Sequence, residues 1–83
     1  MIKFAARGWE DYVYCRTADR AILRRINQLI RDIERDPFSG AGKPEPLKHQ
    51  LTGFWSRRID DRHRLVYTLE SGTILIAQCR DHY

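Results

Sequence analysis

Glu45 stands between two prolines, Pro44 and Pro46, which restrict the backbone on both sides of it. Basic residues crowd the neighbouring positions: Lys43, Lys48, then Arg57, Arg58, Arg62 and Arg64 around Asp60 and Asp61. A stiffened carboxylate beside a basic surface can take up a proton next to a phosphate, and the planar guanidinium fork matches phosphate oxygens. If the arginines flank a three-residue turn, alternation sets Arg58 opposite Arg64, on one face with Phe54 and Ser56. Arg57 then shares the other face with Trp55 and Ile59. Two opposed arginines repel unless an anion lies between them, which describes a phosphate clamp. Each feature also has a plainer account. Glu45 could be an exposed loop acid, the arginine pair could be neutralised by Asp60 or Asp61, and Lys43 and Lys48 could be solvated charges, with Lys48 the better functional candidate.

His49, His63 and His82 lie on three different segments, and neither they nor Cys15 and Cys79 show metal-ligand spacing. No metal site and no cofactor are expected. His63 reads as a structural or surface residue at a strand start. His82 lies one residue from the C-terminus, where frayed ends are common, but the aromatic Tyr83 that follows it could dock the tail. The two cysteines lack a CxxC partner and read as reduced, buried thiols of a cytoplasmic protein.

The elements that must position these groups are few, because 83 residues make one domain, spanning 1–83. A chain of this size buries only about 60–65% of its extended surface, so the core is small. A hydrophobic content of 42% is enough for a globular fold. No apolar run is long enough for a membrane span, and Met1-Ile2-Lys3-Phe4 turns polar too quickly for a signal peptide. The net charge of +4 comes from fifteen Lys and Arg, twelve of them Arg. With a pI of about 9.4, that points to an acidic partner, nucleic acid first.

Ile2 to Ala5 reads as a strand that Gly8 breaks. Trp9, Tyr12 and Val13 have helical spacing over Trp9 to Cys15. From Ala18 or Asp19 to about Arg35, Ala21, Ile22, Ile26, Leu29, Ile30 and Ile33 form one apolar stripe with the arginines mainly off it. Asp36-Pro37 ends that helix. Ser39 to Pro46 reads as a loop. Gly53–Ile59, Arg64–Leu69 and Thr73–Cys79 read as strands, with Asp60-Asp61 and Ser71-Gly72 as turns. The expected fold is α+β, a small twisted antiparallel sheet with two helices packed on one face, in the order β-α-α-β-β-β.

Four stretches carry a resemblance: Gly42-Lys43-Pro44-Glu45-Pro46-Leu47-Lys48-His49, Gly53-Phe54-Trp55-Ser56-Arg57-Arg58-Ile59, His63-Arg64-Leu65-Val66-Tyr67 and Cys79-Arg80-Asp81-His82-Tyr83. Together they resemble the YoeB (Txe) toxins of the RelE/ParE superfamily of bacterial toxin–antitoxin systems, from Trp9 to the last residue. The resemblance implies a RelE-like fold and a ribosome-dependent endoribonuclease that cuts mRNA in the A site of the 70S ribosome. It implies a homodimer neutralised by a YefM-like antitoxin. The family's general base falls on Glu45, its general acid on His82 and its phosphate-binding arginine on Arg64. Lys48, Arg58 and Tyr83 match supporting, substrate-binding positions. Arg62 departs from the pattern, standing where relatives can carry a glutamate. Two rivals share the fold: a ParE-like inhibitor of DNA gyrase, and a non-catalytic basic RNA-binding module. Neither needs an acid and a base.

Overall fold

The structure, a computed structural model, describes residues 1–81. His82 and Tyr83, expected to act in catalysis and in substrate binding, lie outside the described residues. The elements follow as β1 (Ile2–Phe4), α1 (Ala6–Ala18), α2 (Arg20–Arg35), β2 (Glu45–Pro46), a 3-10 turn (His49–Leu51), β3 (Trp55–Arg58), β4 (Arg64–Glu70) and β5 (Thr73–Gln78). The strands form one sheet in the order β1-β5-β4-β3-β2. The expected β-α-α-β-β-β order holds, with two refinements. The sheet is mixed, because β1 runs parallel to β5 while the other pairs are antiparallel. A parallel pair needs a long crossover, and here the rest of the chain supplies it. The second refinement is β2, a two-residue strand within the segment expected to be loop. Pro46 has no N–H to donate and is tolerated because β2 is a sheet edge.

The helices and one sheet face enclose the core. Ile26, Leu29 and Ile33 of α2 are fully buried, as their stripe predicts, while Ala21 faces solvent and Leu23 packs inward instead. Asp19 divides the helices: its N–H donates to the Cys15 carbonyl at 3.1 Å, and its carboxylate accepts the Ile22 N–H at 3.1 Å. That side-chain bond is an N-cap for α2. Helix α1 is longer than the sequence suggested, because Gly8 lies inside it. A Cβ at Gly8 would run into the Ile76 carbonyl oxygen, so glycine there lets α1 lie directly on β5.

Leu65, Tyr67, Ile74 and Ile76 line the sheet's inner face. Near the end of β5 the pairing slips by one residue. Tyr67 opposes Ile76 and Val66 opposes Gln78, leaving Ala77 as the extra residue of a bulge. Simple alternation from Ile76 would point Gln78 inward. The bulge turns Gln78 to the open face and puts Cys79, fully buried, into the core.

Candidate active site

The sheet face turned away from the helices carries the candidate residues. Directly paired residues share a face. Glu45 pairs with Ser56, Ser56 with Val66 and Val66 with Gln78, making one row across four strands. Two residues along, Arg58 pairs with Arg64. Glu45 and Arg64 are thus two strands and two residues apart, roughly 12 Å between Cα atoms at ~4.8 Å per strand and ~3.3 Å per residue. A glutamate and an arginine can reach towards each other over that span and hold a phosphodiester between their tips.

The arginines differ in their partners. Arg58 is half-buried, ion-pairs with the Asp61 carboxylate, and donates from Nε to the Asp60 carbonyl at 3.3 Å. The expected neutralising role of the turn acids is therefore met for Arg58. The Arg64 guanidinium has no hydrogen bond or ion pair among the described residues; its backbone N–H donates to the Asp81 carbonyl at 3.0 Å. Lys48 is exposed and precedes the 3-10 turn. With Glu45, Pro46, Leu47 and His49 it lines a groove of about 370 Å³ beside β2. Arg62 is exposed and lies 3.9 Å from an Asp81 carboxylate oxygen. A larger concavity of about 600 Å³ is lined by α2 residues such as Gln28, Arg31 and Glu34 and contains none of the candidates.

Two supports fix this face. The first is Arg57, fully buried on the helix side of β3. It donates to Asp32 at 2.7 Å and to the Ala41, Asp36 and Ser39 carbonyls at 3.0, 2.7 and 2.9 Å. Its Nε donates to the Tyr67 hydroxyl at 3.1 Å, which in turn donates to the Pro37 carbonyl at 2.6 Å. Asp32 also accepts from Arg35 and from the Ala41 N–H, at 2.6 and 2.8 Å. These bonds, with that to Arg57, hold its carboxyl down at about 2. Arg57 thereby ties the 36–41 loop to the sheet just before Glu45. Beyond Glu45, the Leu47 N–H donates to the Phe54 carbonyl at 2.9 Å and its side chain is buried.

The second support grips the C-terminal segment residue by residue. The buried Asp11 carboxylate accepts the Cys79 N–H at 3.1 Å and pairs with Arg7. Arg7 also donates to the Arg80 carbonyl at 3.3 Å. The Asp81 N–H donates to His63 Nδ1 at 2.8 Å. Asp81 therefore ends beside Arg64, in a left-handed conformation with φ of 63°.

Alternation sets Arg57 on the face opposite Arg58, with Trp55 and Ile59; the structure shows that this face is the inner one, and a buried arginine must be paired. That was the available signal for the Arg57 support, but three of its partners are loop carbonyls that no sequence displays. The anchoring of Asp81 by His63 gave no sequence signal. Cys15 and Cys79 are both buried and free, and burial raises both thiols, Cys79 to about 12. They are poor nucleophiles in this state. Among the described residues, no cluster of three or more His, Cys, Asp or Glu is arranged to hold a metal, and no helix is long and apolar enough to cross a membrane.

A sequence profile of the YoeB-like toxins of bacterial type II toxin–antitoxin systems matches residues 4–83. Toxin YoeB of Streptomyces coelicolor is 58% identical over 82 residues, covering 99% of this chain and 98% of that protein. A YoeB–YefM complex from Staphylococcus aureus contains a chain 44% identical to this one, with a TM-score of 0.93 over 100% of this chain and 97% of that one. A YoeB dimer from Staphylococcus aureus gives 46% identity and a TM-score of 0.91, over 99% of this chain and 95% of its counterpart.

Proposed function

This chain belongs to the YoeB-like toxins of type II toxin–antitoxin systems, and on that premise we propose that it is a ribosome-dependent mRNA endoribonuclease. The observation that carries the reading is the common sheet face shared by Glu45, Arg58 and Arg64, with the C-terminal segment ending beside Arg64.

RNA supplies its own nucleophile in the 2′-OH. Glu45 takes the proton of that hydroxyl as its oxygen attacks the adjacent phosphorus. Arg64, whose guanidinium has no partner among the described residues, takes the charge that develops on the phosphorane oxygens, assisted by Arg58 and Lys48. His82 protonates the departing 5′ oxygen, and Tyr83 helps hold the substrate. The bond to the 5′ oxygen breaks as the 2′ oxygen bond forms, giving a 2′,3′-cyclic phosphate and a 5′-OH. Acid, base and arginines together account for the step without a metal or cofactor.

The site lies on one sheet face, where Ser56 and Val66 are buried and Glu45 and Lys48 are exposed, and alone it cannot hold an RNA strand in line for attack. Positioning can account for roughly 7–11 kcal/mol of a barrier. We assign that part to the 70S ribosome, which presents the A-site codon, so the protein acts in the cytoplasm. The Staphylococcus aureus complex and dimer support a YefM-like antitoxin as neutralising partner and a homodimer as the free form.

Primer extension on translated mRNA, with the start codon moved by one nucleotide, tests this. Cuts should follow the reading frame and require ribosomes. Cuts that stay at the same nucleotides with or without ribosomes would mean a free-standing nuclease. Absence of cleavage with inhibition of DNA gyrase would mean a ParE-like inhibitor.

A further inference from the structure

Three successive residues are gripped in turn, Cys79 by Asp11 and Arg80 by Arg7, both of α1, and Asp81 by His63 before β4, and the last grip depends on a protonation state. Asp81 donates its backbone N–H to His63 Nδ1 at 2.8 Å. An imidazole nitrogen accepts only when it carries no proton, so His63 is neutral here with its hydrogen on Nε2. His63 is itself held, because its N–H donates to the Asp60 carboxylate at 2.7 Å and its carbonyl accepts the Ile59 N–H at 3.0 Å. Asp81 closes the arrangement by accepting the Arg64 N–H at 3.0 Å. Its φ of 63° is in the left-handed region, which aspartate tolerates better than most residues with a side chain.

We propose that His63 is a positioning residue for the C-terminal tail, and that only its neutral imidazole does this work. The inference rests on the reading in which the tail carries the general acid, since Asp81 immediately precedes His82 in the chain. A protonated Nδ1 turns from acceptor to donor and can no longer receive the Asp81 N–H. The Asp81 carboxylate, with an oxygen 3.8 Å from Nδ1, is an acceptor within reach of the proton then on it. Protonation thus exchanges a bond to the Asp81 backbone for one to its side chain, and the backbone must move. The charged groups around the ring are of both signs. Asp60 and Arg62 belong to the β3–β4 turn, Arg80 and Asp81 to the tail, and Asp19 to the α1–α2 junction. Tyr14 and Cys15 of α1 complete that side, with the Arg80 guanidinium 3.6 Å above the Tyr14 ring.

The test needs no RNA in its first arm. Nitrogen NMR of the free toxin, followed from about pH 8 to about pH 5, should show His63 with its neutral-state hydrogen on Nε2. The Asp81 amide should lose exchange protection in step with protonation of His63. In the second arm, His63→Asn offers an oxygen near the place of Nδ1 that does not titrate in this range. It should keep Asp81 protected and cleavage intact, with the Asp81 response to acid removed. His63→Leu should lose the protection at every pH and lower kcat on ribosomes by on the order of 10²-fold, with KM little changed. An Asp81 amide indifferent to pH and to His63→Leu overturns the proposal, as does a neutral His63 protonated on Nδ1. If Asp81 follows His63 while a folded His82→Gln cuts normally, the anchor stands and the proposed acid fails. If His82→Gln abolishes cleavage and Asp81 ignores His63, the anchor fails and the acid stands.

Discussion

Arg58 and Arg64 stand directly opposite each other across β3 and β4, and only Arg58 has an acidic partner among the described residues. Like charges paired directly across strands are destabilising. The Asp61 carboxylate offsets one of the two charges. The other has no partner among the described residues, so an anion bound there would relieve the repulsion.

Arg64→Ala should therefore leave the free protein as stable as wild type, or slightly more so, while losing most cleavage. Phosphate ions should raise the melting temperature of wild type more than that of Arg64→Ala. Arg58→Ala should have the smaller effect on cleavage. The measurement is a thermal melt with and without phosphate, beside a ribosome cleavage assay. An equal phosphate response in wild type and Arg64→Ala would refute the account in which the Arg64 guanidinium takes an anion.

Arg57 makes the opposite case: a charged side chain buried with five partners, whose loss should unfold the site from beneath. Breaking a buried charge pair costs about 3–5 kcal/mol, a large share of the roughly 5–15 kcal/mol that holds a domain together. Arg57→Ala should lower the melting temperature strongly. The acid behaviour follows from Asp32, whose folded carboxyl is lowered from 3.8 to about 2. A lowered carboxylate contributes stability that is fully present above its unfolded value and is lost as pH falls through the folded value. Wild type should thus lose stability progressively between those two values. Asp32→Asn should be less stable at neutral pH and show a shallower loss across that window. Circular dichroism melts at stepped pH measure both, and parallel curves for the two proteins would contradict the assignment.

The fold was readable where one rule acts alone. The Ile26, Leu29 and Ile33 stripe needs only a helical period, and the Arg58–Arg64 pairing needs only alternation and a short turn. Legibility failed where two segments distant in sequence meet. Gly8 looks like a breaker in sequence, but its role is to admit the Ile76 carbonyl from the far end of the chain. Glu45 and Pro46 look like loop because prolines interrupt strands, yet a two-residue edge pairing asks little of the backbone. The bulge at Ala77 reverses alternation just before the tail, and nothing local marks it. For the site, residue types and spacing singled out Glu45 and the arginine pair, while the roles proposed for them come from the family resemblance. The supports behind them are mostly backbone carbonyls and amides, which every residue carries and no sequence distinguishes.

Burial makes a separate prediction for the thiols. With Cys79 raised to about 12 and Cys15 raised as well, almost no thiolate exists in the folded state at neutral pH. Iodoacetamide should label neither in the native protein and both after denaturation, read by mass spectrometry. Rapid native labelling of Cys79 would show that the β5 exit opens far more readily than its Asp11 anchor suggests.

The assignment of separate acid and base roles admits a test that stability effects cannot imitate. Glu45→Gln and His82→Gln should each slow cleavage by about 10²–10⁴-fold, the usual contribution of a general acid or base. Loss of rate alone would not distinguish a missing proton donor from a displaced substrate. A substrate with sulfur in place of the bridging 5′ oxygen does distinguish them, because a thiolate leaves without being protonated. On that substrate His82→Gln should approach wild-type rate, whereas Glu45→Gln should stay slow, since the 2′-OH must still be deprotonated. His63→Leu should behave like His82→Gln here, its defect being the delivery of the same proton. Single-turnover cleavage on ribosomes provides the rates, with the oxygen substrate as reference. Equal rescue of Glu45→Gln and His82→Gln, or rescue of neither, would show that the two residues do not divide the proton transfers as assigned.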